Sequence, residues 1–146
     1  MPIGYPPASG GGGISDVLAV SLPNVVAGEL LFDGQVIALV DVAGTKTLLL
    51  CGAREVDYAF QFIGFASADF AIGENHPIIT GRGSRVEPLL DGGGALTPNE
   101  LLYLSLTPGF VTHTAPQGSG IVNTPIGYAV STTEMILKTD SRVVFP

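Results

Sequence analysis

The sequence predicts an all-β protein, a small β-barrel or sandwich with an extended N-terminal arm and at most short helical turns. Three observations carry this. Short apolar or alternating segments recur along the chain, Gly, Pro, Asn or Asp breaks them about every ten residues, and the helix-start signals that occur lead into no long helical stretch.

The arm comes first, at residues 1–16. Pro2, Pro6 and Pro7 remove backbone donors and favour an extended path, and Gly10 to Gly13 form a swivel. Ile3, Tyr5, Pro6 and Pro7 thereby stand ahead of a body at residues 17–146. Such a segment either orders on a partner or frays as chain ends do.

In the body the expected strands are Val17–Ser21, Gln35–Val42, Lys46–Cys51, Tyr58–Ser67, Pro77–Thr80, Arg85–Leu89, Leu101–Leu106, Gly127–Ser131, Met135–Lys138 and Arg142–Phe145. Val42-Ala43-Gly44-Thr45 reads as a hairpin turn, with Gly44 free to take positive φ. Tyr58, Phe60 and Phe62 recur with period two and are expected on one core-facing side of a strand. Gly64 and Gly127, each between apolar residues, suggest bends or close backbone approach. Pro108-Gly109 suits a type II turn. Gly92 to Gly94 reads as an exposed loop. Helical turns are expected at Pro98–Leu101, where Thr97 and Glu100 have the form of a capping box, and within Cys51–Tyr58. No tandem repeat and no coiled-coil heptad is evident.

Composition narrows the function classes. At 146 residues the chain has the length of one domain. Hydrophobic residues make up 46% and the mean hydropathy is +0.45, but the apolar runs are far shorter than the ~20 residues of a membrane span. The N-terminus lacks the basic start and apolar stretch of a secretion signal, so a soluble product made in a cytoplasm is expected. The formal charge is −7, and the six Lys and Arg residues are scattered, which argues against nucleic acid as a partner. Charged residues are only 13% of the chain, a composition suited to a subunit that covers apolar surface by oligomerising. Cys51, the lone cysteine, reads as a buried structural thiol.

Catalytic and metal signatures are sparse. The chain has no Gly-x-Ser-x-Gly elbow, and two histidines with one cysteine are too few for a structural zinc site, so no cofactor or metal is expected. His76 and His113 read as turn or surface histidines. Gly44-Thr45-Lys46-Thr47 has the wrong order for a phosphate-binding loop. Arg82 and Arg85, within Gly81-Arg82-Gly83-Ser84-Arg85, either pair with carboxylates across a partner boundary or are solvated turn residues.

A further pattern runs through Phe62-Ile63-Gly64-Phe65-Ala66, Ile78-Ile79-Thr80-Gly81, Leu101-Leu102-Tyr103-Leu104-Ser105, Thr107-Pro108-Gly109-Phe110-Val111-Thr112, Pro116 and Ile126-Gly127-Tyr128-Ala129-Val130-Ser131. It resembles the β domain of bacteriophage virion proteins, above all capsid decoration (cement) proteins and related head-fibre and tail-fibre modules. The resemblance implies a β-tulip-like barrel without catalytic residues, a homotrimer, and a place on the outer capsid surface of the virion. There it would bind the major capsid protein and bridge neighbouring capsomers. Ile3, Tyr5, Pro6 and Pro7, with Arg82 and Arg85, are the expected partner-binding residues. The alternative is a receptor- or glycan-binding module of a head fibre or tail fibre. An enzyme with an intersubunit site, built on Asp69, Asp91 or His113, is the third reading.

Overall fold

The computed structural model describes residues 19–138. Two β-sheets make up this region. The first contains β1 (Ala19–Val20), β2 (Val25–Ala27), β3 (Val36–Val42), β4 (Thr45–Leu50), β5 (Phe62–Ala66) and β6 (Ile78–Ile79), in the order β1-β6-β5-β3-β4-β2. The second contains β7 (Arg85–Val86), β8 (Leu101–Leu104), β9 (Val111–Thr112), β10 (Pro125–Ala129) and β11 (Met135–Leu137), in the order β7-β11-β10-β8-β9. All pairs are antiparallel except β2 with β4. The all-β expectation holds; the arm at residues 1–16 and the strand expected at Arg142–Phe145 lie outside the described residues.

The two sheets are copies of one arrangement, which corrects the expectation of no repeat. In the second sheet Leu90 makes a single parallel bridge to Val111, at the place β2 holds beside β4 in the first. Register matches residue by residue: Phe65 pairs with Ile79 and Val36 as Tyr128 pairs with Ile136 and Leu101. Both sheets shift register at an equivalent place, with Ile63 and Ile126 as the extra residues, a β-bulge in each copy. The glycine after each bulge lies against the matching carbonyl. A Cβ on Gly64 would stand 2.1 Å from the Ile79 oxygen, and one on Gly127 2.2 Å from the Ile136 oxygen. Gly34 and Asn99, both at positive φ, donate N–H bonds to the carbonyls of Ala66 and Ala129 in the same way. The loops between matched strands differ in length, so no constant spacing marks the duplication in sequence.

Local chemistry explains the turns. Ala43 (φ +52°) and Gly44 (φ +86°) both adopt left-handed geometry in the two-residue β3–β4 hairpin, and Asp41 Oδ1 accepts from the Gly44 N–H at 2.9 Å. Gly109 at φ +92° follows Pro108, and Phe110 N–H donates to the Thr107 carbonyl at 3.2 Å, as a type II turn requires. Pro98-Asn99 forms a β-turn, with Asn99 at φ +71° and Glu100 N–H bonded to the Thr97 carbonyl. The helical turn expected at Pro98–Leu101 is therefore absent, because a left-handed Asn99 turns the chain directly into β8. Short 3₁₀ segments do occur at Glu55–Asp57 and Ala59–Gln61. Tyr58 joins them in left-handed geometry (φ +65°), so Tyr58, Phe60 and Phe62 do not share a strand face. Phe60 is exposed while Phe62 is buried at the start of β5. The strands β2 and β9 were not anticipated.

The core has two parts. Ile37, Leu48, Ala66 and Ile78 from one face of the first sheet pack with Val25, Ala27, Leu31 and Phe70. The opposite face supplies Val36, Ala38, Phe62, Phe65 and Ile79 to a larger cluster with Leu102, Val111, Ala129, Met135 and Leu137 of the second sheet. The first sheet is thus buried on both sides. That accounts for the unbroken apolar run at Val36, Ile37 and Ala38, each fully buried. Backbone bonds also tie the halves, from Val36 N–H to the Gly109 carbonyl (3.0 Å) and from Ala53 N–H to the Ser105 carbonyl (2.8 Å). Cys51 is fully buried, its Sγ 3.4 Å from the Tyr58 carbonyl oxygen, as expected of a structural thiol.

Candidate functional site, an open face of the second sheet

Strand alternation leaves the second sheet with one core-facing side and one open side. The β8 residues Leu102 and Leu104 are buried, while Leu101 is exposed and Tyr103 half-buried. Leu101, Tyr128, Ile136 and Arg85 are direct cross-strand partners on β8, β10, β11 and β7, so they form one row across the open side. Leu101 and Tyr128 are 45% and 37% exposed. The matched row in the first sheet contains Val36, Phe65 and Ile79, at 0%, 0% and 6%. The same positions are covered in one copy and open in the other.

Cations gather along this row. Arg82, Gly83, Tyr128, Ile136, Leu137 and Lys138 line a groove of about 330 Å³. Gly81 and Gly83 take positive φ on either side of Arg82, while Gly83 N–H bonds the Leu137 carbonyl at 2.8 Å and seats this connection against β11. Arg85 pairs with Glu134 at 3.3 Å and also borders a second cleft of about 410 Å³ whose lining includes Asp33 and Glu87. Five Lys or Arg residues fall within the described residues, and Arg82, Arg85 and Lys138 are three of them.

Of the residues singled out from sequence, Arg82 and Arg85 therefore lie along one face. Ile3, Tyr5, Pro6 and Pro7 lie outside the described residues. Leu101, Tyr128, Ile136 and Lys138 were not anticipated as site residues. Leu101–Leu104 and Met135–Leu137 are apolar throughout, so only the two-residue period of a strand, once a core side is assigned, separates an outer from an inner set.

The other candidates fall into separate hydrogen-bond sets. Asp69 Oδ1 accepts from the Asp33 N–H at 2.9 Å. Asp91 accepts from the Ser105 hydroxyl and, at 3.2 Å, from that of Thr107, bracing the turn before Pro108. His113 donates from Nδ1 to the Leu101 carbonyl (2.8 Å) and accepts the Thr97 N–H at Nε2 (2.9 Å). With 17% side-chain exposure, His113 braces β8 against the preceding turn. His76, more open, contacts Glu74 Oε1 at 3.0 Å, and its ring meets Phe70 edge-on. The Ala71 N–H, and after it His76, hold the Glu74 carboxyl below the ordinary glutamate pKa.

Among the described residues no group of three or more His, Cys, Asp or Glu is placed to hold a metal, and no helix is long and apolar enough to cross a membrane. The chain matches no family model, no curated protein and no solved structure.

Proposed function

We propose that this protein is a structural docking subunit, a decoration protein of a phage head that binds the outer capsid surface and bridges neighbouring capsomers. The observation that carries the reading is the open row of Leu101, Tyr128 and Ile136 flanked by Arg82, Arg85 and Lys138. A β body whose sheets are pinned by shared core and backbone bonds presents this row without internal rearrangement, which limits the ordering cost of association. Aromatic and Arg side chains in such a patch are the types that anchor protein interfaces. The arm residues Ile3, Tyr5, Pro6 and Pro7 supply a second, tethered contact. Two linked contacts can raise avidity ~100-fold or more above either alone.

Purified particles carrying this polypeptide in near-stoichiometric ratio to the major coat protein, measured by mass spectrometry, are the expected result. Deleting residues 1–16 should release the protein from particles while leaving its β body folded. Absence from particles, or undiminished binding after the deletion, would count against the proposal.

One observation favours the fibre reading. Tyr128 borders a groove with Arg82 and Lys138, and an exposed ring beside cations suits an acidic sugar. Sialylated and sulfated glycans on an array would distinguish it, since a decoration subunit should leave them unbound.

A further inference from the structure

We infer that the two terminal segments of this chain are strands of a third sheet, shared between successive copies and laid over the open face of the second sheet. This deepens the docking reading above, on which it rests, by naming what meets the open row.

Both segments repeat strand sequences of the body. Pro2-Ile3-Gly4-Tyr5 is identical to Pro125-Ile126-Gly127-Tyr128 of β10, and Ser141-Arg142-Val143 is identical to Ser84-Arg85-Val86, which contains β7. Register puts the second match where the duplication requires it. Ile136 is the counterpart of Ile79, and Ser141-Arg142-Val143 follows it at the distance at which Ser84-Arg85-Val86 follows Ile79. The two segments also agree with each other. Val20 of β1, the counterpart of Val86, follows Tyr5 at the distance at which Val143 follows Tyr128, and Pro23 and Pro146 come three residues later. Residues 2–14 thus correspond to the span from β10 to β11, and residues 141–143 to β7.

In the second sheet those elements are neighbours, in the order β7-β11-β10. The terminal segments therefore suffice for a sheet of three strands, 141–143, 12–14 and 2–5. Its place follows from β7. Val86 is buried in the cluster with Val36, Phe65 and Ile79, the row of the first sheet that the second covers. Val143, in the position of Val86, meets the equivalent row of Leu101, Tyr128 and Ile136. The groove beside Tyr128 and Ile136 reaches Lys138, three residues from Ser141. Lys138 and Asp140 stand where Gly81 and Gly83 take positive φ, so the connection has equal length without the two glycine turns. Gly4 keeps what β10 needs most, since a Cβ on Gly127 would stand 2.2 Å from the Ile136 oxygen. Reach decides that two copies share the sheet. Ile14 stands five residues before Ala19 of the first sheet, at most about 18 Å, whereas a third layer lies two layer spacings, about 20 Å, from that sheet. Residues 141–143 of one copy and residues 2–14 of the next therefore meet. Such a contact joins different surfaces, and its repetition closes a ring or extends a row of copies.

Sedimentation of the full chain, with no particles present, tests this. The wild type should self-associate. Deleting residues 1–5, or residues 141–146, should leave a monomer at concentrations where the wild type is assembled. The decisive sample is a mixture of the two deletion variants. Each retains the strand the other has lost, so the mixture should form a 1:1 dimer that does not grow. Gly4→Ala probes the strand itself. It adds apolar surface, yet it should weaken association about 10-fold or more, because the place of β10 has no room for a Cβ. Circular dichroism should report the same β content in all three variants.

A monomeric wild type at all concentrations overturns the inference. A deletion variant that assembles as the wild type does, or two folded deletion variants that fail to combine, overturns it as well. Undiminished association of Gly4→Ala overturns it in favour of an arm that adheres without strand pairing, and that result stands even where a deletion prevents folding. A chain that self-associates as described but leaves particles unbound sinks the decoration reading alone.

Discussion

At the residue scale the most constrained positions are the two glycines that follow the bulges. Gly127 has ordinary backbone geometry, so its requirement is space: the Ile136 carbonyl oxygen and the Met135 methyl group occupy the place of a side chain. The methyl group can swing away, but the carbonyl belongs to the neighbouring strand. Gly127→Ala should therefore push β10 from β11 and cost about 1–3 kcal/mol or more, the range of overpacked sites. Gly64→Ala meets the same obstacle at the Ile79 carbonyl. Urea unfolding of Gly127→Ala measures this, and a loss below about 0.5 kcal/mol, the scale of a neutral surface change, would contradict it. The need for glycine at both positions was legible from sequence, because each interrupts an apolar strand. The obstructing carbonyls were not, since they depend on the register in which β6 and β11 lie against β5 and β10.

Elements were legible in proportion to their length and the strength of their punctuation. The hairpin β3–β4 announces itself by two apolar runs around Ala43-Gly44, and β5, β8 and β11 by short apolar runs. By contrast, β2 and β9 span only Val25–Ala27 and Val111–Thr112, too short to show a period, and parallel pairing with β4 orders β2 from outside. The aromatic trio at Tyr58, Phe60 and Phe62 misleads because period two implies one face only where the backbone is extended. The hairpin also retains a local conflict. Ala43 sits at φ +52°, a region in which a Cβ costs about 1 kcal/mol and which Asn tolerates better. Asn-Gly is the preferred pair for this turn, so Ala43→Asn should raise stability by about 0.5–1 kcal/mol. Ala43 is exposed, which keeps packing out of the comparison. A thermal midpoint equal to or below wild type would show that the turn carries no such strain.

For the whole molecule, the duplication decides which surface is core and which is left open. Sequence conceals it because unequal loops shift the matched strands, and because one copy's row is apolar and buried while the other's adds Arg85 and Tyr128. The open face followed from neither composition nor motif; it depends on which copy covers which. Phe65 sits at the point where the copies meet, fully buried, its ring edge-on to Phe62 with centroids 6.1 Å apart. Its counterpart Tyr128 is open. Phe65→Ala should cost about 3–5 kcal/mol, the usual loss for a buried Phe, whereas Tyr128→Ala should cost far less despite the matched position. Because Phe65 belongs to the cluster that both sheets build, its loss should weaken them together. Amide exchange in β3 and β10 should accelerate by similar factors in Phe65→Ala, with denaturant unfolding still a single transition. If β10 kept its protection while β3 lost it, the second sheet would hold its fold independently, and the shared cluster would not be what unites the halves.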